Sequence, residues 1–232
     1  MNSDASFDGR TVLVTGGGGA LGRAVVRRLL DEGARVVAPS FTAGDDAALT
    51  ALASEKLRAP AKVDLSNEDA VDALYASVPE LWASVHLAGG FAWSPLTDMS
   101  LEDFERLVTM NLRTCFLCCR AAARTFPGPG RIVNVAARPA LVPTPNVAGY
   151  AATKAGVAAL TLSLAEELAP RGVWVNAIAP SIFDTDRNRA DMPDADHDSW
   201  PKPEELAATI AFLASPANAS TRGAIVPVYG RS

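Results

Sequence analysis

The sequence predicts an α/β fold: a single doubly wound parallel sheet of about seven strands, with helices on both faces. Three observations predict it. Short β-branched apolar runs alternate with longer helical patterns from end to end. The short runs are nearly continuous in apolar residues, as in strands buried on both faces. No linker rich in Pro, Gly or Ser and no internal repeat divides the 232 residues, so residues 1–232 read as one domain.

The elements follow in order. Strands are expected at 11–14, 35–38, 61–64, 84–87, 131–135, 173–178 and 224–228. Helical patterns lie between them at about 20–32, 45–57, 67–77, 100–126, 148–169 and 203–214. Ser66 is placed to cap the helix opening at Asn67, and Gly33 to stop the first helix. Strand–helix alternation of this kind builds parallel crossovers that lay helices over both faces of a sheet.

Composition narrows the function. The chain is 49% hydrophobic and 20% charged, which suits a well-cored globule rather than a disordered chain. Its 21 Lys and Arg against 26 Asp and Glu give a net charge of −5 without any basic run, so a nucleic-acid footprint is not expected. The polar N-terminus, Met1 to Arg10 with Asp4 and Asp8, lacks the basic start and apolar core of a signal peptide. No apolar run approaches the roughly 18 residues of a membrane helix. The expectation is a cytoplasmic protein with neither a nucleic-acid nor a membrane partner. Cys115, Cys118 and Cys119 cluster in an apolar stretch, and the Cys115-x-x-Cys118 spacing suits redox chemistry or half a metal site. With His86 and His197 isolated in sequence, the thiols read as buried helix residues and no metal is expected.

The first strand runs into Thr15-Gly16-Gly17-Gly18-Gly19-Ala20-Leu21-Gly22 and then a helix. Gly17, Gly19 and Gly22 satisfy G-x-G-x-x-G in the strand–turn–helix context that gives it meaning: close backbone approach to a pyrophosphate at a helix N-terminus. Asp64, followed by Leu65 at the expected end of the third strand, is a candidate acceptor for an adenine amino group or a plain turn residue. An acid ending the second strand would bind ribose hydroxyls and repel a 2′-phosphate. That place reads Pro39-Ser40-Phe41-Thr42, and its hydroxyls favour NADP(H) over NAD(H).

Tyr150 and Lys154 lie four apart, one turn along a helix face. A phenol of pKa about 10 becomes a usable proton donor or acceptor when a neighbouring ammonium favours its anion. With these pieces the sequence resembles the short-chain dehydrogenase/reductase family along essentially its whole length. Thr15-Gly16-x-x-x-Ala20-x-Gly22 is similar to that family's cofactor loop, with Ala20 where glycine is usual. Ala88-Gly89 resembles the end of its Asn-Asn-Ala-Gly segment, Asn111 its helix asparagine, and Pro180-Ser181-x-x-x-Thr185 its Pro-Gly-x-x-x-Thr.

The resemblance implies a Rossmann-like NAD(P)-dependent oxidoreductase. Tyr150 exchanges the proton, Lys154 binds ribose and lowers the phenol's pKa, and Asn111 anchors a relay water. Pro180, Ile182 and Thr185 hold the nicotinamide amide, while Ala88 and Gly89 line the cofactor. It also implies a substrate lid over 183–201 and a homodimer or homotetramer built on the helices at 100–126 and 148–169.

One departure stands out. Ala137 occupies the place of the family's active-site Ser, thirteen residues before Tyr150. Losing a donor aimed at developing oxyanion charge costs roughly 10²–10³ in rate. Dihydropteridine reductases, an offshoot of the family, carry Ala there, and His86-Leu87-Ala88-Gly89-Gly90-Phe91 is similar to their segment. The expected substrate is therefore small and cyclic: quinonoid, imine or ketone. The alternative is a catalytically impaired dinucleotide-binding protein acting as a redox sensor or partner subunit. Phe91 and Trp93 follow a strand's carboxyl end, where they could stack on a planar substrate or pack at the rim. Arg138 is either a substrate contact or a loop charge. The six aspartates between Phe183 and Trp200 fit a lid selecting cations, or a solvated mobile loop.

Overall fold

The computed structural model describes residues 7–232. Seven strands form one sheet in the order β3-β2-β1-β4-β5-β6-β7, with every neighbouring pair parallel. They are β1 (Thr11–Thr15), β2 (Arg35–Val37), β3 (Leu57–Arg58), β4 (Leu81–His86), β5 (Gly130–Val135), β6 (Val173–Pro180) and β7 (Ile225–Val228). The helices are α1 (Ala20–Asp31), α2 (Ala43–Thr50), α3 (Glu68–Ala76), α4 (Leu101–Leu107), α5 (Thr114–Thr125), α6 (Ala148–Leu168), α7 (Asp186–Asp191) and α8 (Pro203–Ala214).

Side chains alternate across each strand. On one face Val12, Val14, Val36, Ala38, Ala83, Val85 and Val133 pack with α1 and α8 through Val25, Leu29, Leu206 and Ile210. On the other, Leu13, Val37, Ile132, Val173 and Val175 pack with α3, α5 and α6 through Leu74, Cys118, Val157 and Leu168. Both faces are covered, which is why the strands read as continuous apolar runs. The strand order reverses beside β1, and the carboxyl ends of β1 and β4 therefore flank the crevice where open α/β sheets bind ligands.

Several expectations need correction. The third strand lies at Leu57–Arg58 rather than 61–64, in register with Val36 and Val37 of β2. Pro60 has no N–H to extend that ladder, and Lys62 turns through a positive φ of 57°. Val63 returns only to donate its N–H to Ser40 O at 2.9 Å. The second helix starts at Ala43, because Thr42 and Asp45 form a capping box, and stops at Thr50 rather than reaching 57. Asn67, not Ser66, caps α3 by accepting from Ala70 N. The 100–126 helix is interrupted by a π-helical turn, Val108–Arg113, where Thr114 N–H reaches back five residues to Thr109 O. The expected leaderless N-terminus, Met1 to Arg10, falls largely in residues 1–6, outside the described ones. Among the described residues no helix is long and apolar enough to cross a membrane.

Candidate active site

At the end of β1, Thr15 Oγ1 accepts the N–H groups of Leu87 (3.2 Å) and Ala88 (3.3 Å), fastening the carboxyl ends of β1 and β4 together. The chain then turns at Gly16 with a φ of +67°. A Cβ there would lie 2.8 Å from Ala88 N, and one at Gly22 would lie 2.1 Å from Gly16 O. Gly19 is more tolerant, since its Cβ would meet only Gly16 O at 3.4 Å. Steric necessity therefore rests on Gly16 and Gly22 more than on the three glycines of the expected G-x-G-x-x-G. Gly17 matters through Ala38, whose Cβ would be 2.9 Å away. Gly19 precedes Ala20 without a side-chain cap, leaving the first N–H groups of α1 for a ligand's phosphates. Arg23 Nη1 ties the loop down through Gly18 O at 2.8 Å, a contact the sequence pattern did not signal. Leu21 turns its side chain into the core, so only its backbone faces the loop.

The adenosine end departs from expectation. Ser40 is buried and donates to the Asp46 carboxylate. Thr42 Oγ1 donates to Asp45 Oδ2 at 2.8 Å and accepts from Asp45 N at 3.1 Å. Both hydroxyls expected for a 2′-phosphate are thus committed to carboxylates, and α2 presses Asp45 against Gly18. Asp64 accepts from Ser66 N (2.8 Å) and Ser66 Oγ (2.7 Å), which is a turn residue's work, and Leu65 packs partly buried on the core.

The catalytic candidates do converge. A Cβ built on Gly89 would lie 2.6 Å from Asn111 Oδ1 and 3.6 Å from Lys154 Nζ, so β4's end, the π-helical turn and α6 meet there. Asn111 clasps Gly90, accepting its N–H at 2.8 Å and donating to its carbonyl at 3.0 Å. It also donates to Thr153 Oγ1 at 3.2 Å, and Thr153 in turn donates to Tyr150 O. Thr153 was not visible as a site residue in the sequence. Tyr150 meets Phe91 edge to face at 4.9 Å between ring centroids. Burial pushes the Tyr150 phenol up to about 12. Burial likewise brings Lys154 down to about 8, with Cys115 opposing. Lys154 Nζ donates to Val135 O at 2.8 Å rather than to the phenol. In this structure the expected lowering of the phenol's pKa by Lys154 is absent, because burial dominates both groups.

Ala137 is buried at the end of β5, beside Tyr150's helix, and offers no side-chain donor. Arg138 is exposed and lies over the Tyr229 ring, with 5.5 Å from its guanidinium carbon to the centroid. Phe91 and Trp93 are both exposed at the rim, the former joined to Tyr150. Pro180 ends β6, Ile182 is exposed beyond it, and Thr185 caps α7 by accepting from Asn188 N at 3.1 Å. The 183–201 segment is largely solvent-exposed, yet not irregular throughout. It contains α7, the Asp184–Arg189 ion pair at 2.8 Å and buried Trp200 under the His197 ring.

His86 is not isolated either. Its ring nitrogen reaches Cys119 Sγ at 3.5 Å, and Cys119 pairs with Cys115 at 4.0 Å in place of the expected Cys115–Cys118 spacing. The hydrogen bond from Cys119 holds Cys115 below the ordinary thiol range, while burial pushes Cys118 up.

A glycine-built cradle at a strand-to-helix turn, with half-buried Tyr150 and buried Lys154 and Asn111 beside it, defines a dinucleotide-dependent oxidoreductase of the nicotinamide class. Residues 10–196 match the family described as short chain dehydrogenase, and the chain belongs to it. The chain is 36% identical to a 3beta-hydroxysteroid dehydrogenase 1 of Eggerthella lenta, over 89% of this chain and 87% of that one. It is 33% identical to a 3-oxoacyl-[acyl-carrier-protein] reductase of Synechocystis sp., over 95% of this chain and 96% of that one. Among solved structures it superposes on a blue fluorescent protein from a metagenomic library, in complex with NADPH, with a TM-score of 0.88 and 29% identity, covering 97% of this chain and 98% of that one. The protein is thus an NAD(P)-dependent oxidoreductase of the short-chain dehydrogenase/reductase type.

Proposed function

We propose that the enzyme transfers a hydride between nicotinamide and a small cyclic substrate, with Tyr150 as the proton donor or acceptor. The observation that carries this is the approach of Asn111 and Lys154 to Gly89 at the end of β4, with Tyr150 one turn before Lys154 on α6 and a buried Ala137 that offers no side-chain donor. The cradle of Gly16 and Gly22 fits a dinucleotide, since a Cβ at either would fill it. When bound, the nicotinamide supplies or takes the hydride. The chain's own part is positional and electrostatic. Tyr150 keeps its proton until a substrate atom gains charge, because burial holds the phenol neutral. Asn111 fixes the Gly90 backbone, and Lys154 keeps an ammonium beneath the site.

With one donor in place of two, the chemistry favours a substrate that is already electrophilic, a quinonoid or iminium ring, over a plain ketone. This supports placing the chain beside the dihydropteridine-reductase-like branch. Phe91, edge-on to Tyr150, and Trp93 offer the planar ring an apolar wall, and the 183–201 segment covers it as a lid. For the cofactor, the NADP(H) expectation rested on Ser40 and Thr42. Their engagement by Asp46 and Asp45 leaves carboxylates facing that end, and we infer NAD(H) as the preferred form. We place the protein in the cytoplasm as a homodimer or homotetramer, with exposed Phe104, Met110, Phe116 and Leu162 on the helices that would form the seam.

The test follows NADH and NADPH oxidation with a quinonoid dihydropterin beside simple ketones and imines. Selective turnover of the quinonoid acceptor is the expected result. Ala137→Ser should raise ketone reduction by roughly 10-fold or more and leave the quinonoid rate within about twofold. Equal gains on both substrates would defeat the electronic account of Ala137. The catalytically silent alternative has no structural observation in its favour.

A further inference from the structure

His86 on β4, Asn134 on β5, and Cys115 and Cys119 one turn apart on α5 meet in the interior, all of them buried. A ring nitrogen of His86 and the two sulfurs fall within 4.8 Å of one another. The sulfurs are 4.0 Å apart, and Cys119 Sγ is 3.5 Å from Nδ1. Asn134 Oδ1 lies 3.4 Å from each sulfur and 2.7 Å from Nδ1. Four donor atoms on three elements therefore outline a tetrahedron. In a tetrahedral zinc site with Zn–S of about 2.3 Å and Zn–N of about 2.0–2.1 Å, S–S edges are about 3.8 Å and S–N edges about 3.6 Å. Small rotamer shifts bring the sulfur edges to these lengths, while Nδ1 and Asn134 Oδ1, hydrogen-bonded at 2.7 Å, must part to about 3.3 Å to admit an ion.

The surroundings fit as well. A ligating imidazole is normally fixed by a hydrogen bond at its other nitrogen. Here Nε2 lies 2.8 Å from Ser84 Oγ and 3.2 Å from Tyr75 OH. Asn134 is fixed in the same way. Its Nδ2 donates to Thr161 Oγ1 at 2.9 Å, Thr161 having given its own proton to Val157 O, so Oδ1 is the atom turned to the sulfurs. Two thiolates neutralise a divalent ion, which removes the charge that makes burial costly. Mixed thiolate and imidazole donors select zinc over magnesium or calcium.

We propose that His86 Nδ1, Cys115 Sγ, Cys119 Sγ and Asn134 Oδ1 form a structural zinc site. Binding exchanges one Zn²⁺ for the two thiol protons, which leave to solvent. The Nδ1 proton, which Asn134 Oδ1 otherwise accepts, is carried instead on Nε2 and donated to Ser84 or Tyr75. No electrons move. The site lies in the core beneath the active site and joins β4, β5 and α5, so it acts on stability rather than on the hydride transfer.

The test is metal content by mass spectrometry on untagged full-length protein, made in zinc-supplemented medium and gel-filtered without chelator. The wild type should hold one zinc per chain, as should Cys118→Ser, whose sulfur lies outside the donor set. Cys119→Ser should lose it. Because that variant could fold poorly, the wild type supplies a second reading. After stripping by chelator, added Co²⁺ should give thiolate-to-metal charge-transfer absorption with tetrahedral visible bands, and added Zn²⁺ should raise Tm. Wild-type protein without stoichiometric zinc and without these responses overturns the proposal. So does zinc that stays in folded Cys119→Ser, which would place the ion elsewhere.

Discussion

The two halves of the active-site crevice are made by different means. On the β1–α1 side the geometry is backbone and glycine. Gly16 and Gly22 admit no Cβ, and the first turn of α1 is uncapped. On the β4–α6 side it is buried polar side chains. Asn111 and Thr153 hold one another, and Gly90 O, Tyr150 O and Val135 O anchor Asn111, Thr153 and Lys154 in turn. A backbone cradle tolerates change at every residue that is not glycine, whereas a polar network fails at whichever member is removed. The first half should therefore respond to added volume, and the second to lost or gained charge and hydrogen bonds.

The largest effect is expected on the network side. Tyr150→Phe should lower kcat by roughly 10²–10⁴, the usual worth of a positioned proton donor, while dinucleotide Kd measured by fluorescence titration stays near wild type. Parallel loss of binding would mean that the two halves are not separable. Lys154→Met probes the cost of a buried ammonium. The folded-state pKa of Lys154 is about 8 against 10.5 for the unassociated group, so the folded chain disfavours the charged form. Below pH 8 both states are protonated and the full cost is present. Between pH 8 and 10.5 the unfolded chain binds more protons, and wild-type stability rises by up to about 3 kcal/mol from this group. Lys154→Met should be the more stable form at pH 7, with the gap closing by pH 10.5 in denaturant titrations. A gap independent of pH would contradict this. Tyr150 runs the other way, its raised pKa withdrawing stability between pH 10 and 12.

On the cradle side, Gly22→Ala should cost about 2 kcal/mol or more and weaken dinucleotide binding, because its Cβ has no room. Gly19→Ala, with only a 3.4 Å contact, should change Tm and Kd little. Similar behaviour of the two would break the steric account. The smallest effect concerns the adenosine end. Asp45→Ser should shift the NADH-to-NADPH ratio of kcat/KM by roughly tenfold towards NADPH, about 1.4 kcal/mol. An unchanged ratio would remove Asp45 from cofactor choice.

The same contrast explains what the sequence made legible. Parallel strands β1, β2 and β4 to β7 announce themselves by apolar runs, and the glycine loop by its spacing, because one residue type enforces each. The edge strand β3 escaped, since only two residues of it pair and residues 61–64 beyond Pro60 bend away from the ladder. Helix α7 escaped because its polar residues, Asp186 to Asp191, carry no apolar stripe. Tyr150, Lys154 and Asn111 were legible through a family pattern. Their partner Thr153 was not, nor was the approach of His86 to Cys119 across 33 residues, because contacts between a strand and a helix leave no periodicity. The partner of Ser40 was hidden for a related reason. A hydroxyl's partner, here Asp46 six positions on, is decided by how the intervening turn folds.

The π-helical turn at Val108–Arg113 has a consequence for the phase of everything that follows it. An α-helix advances about 100° per residue, so accommodating one additional residue in a widened turn resets the azimuth of α5 by that amount. Downstream, Cys115, Cys118, Cys119 and Ala122 face inward and Phe116 faces out. Deleting a single residue there would swing Phe116 towards the sheet and part of the cysteine row towards water. For this chain the length of one turn of helix is as stringent as any side chain in it.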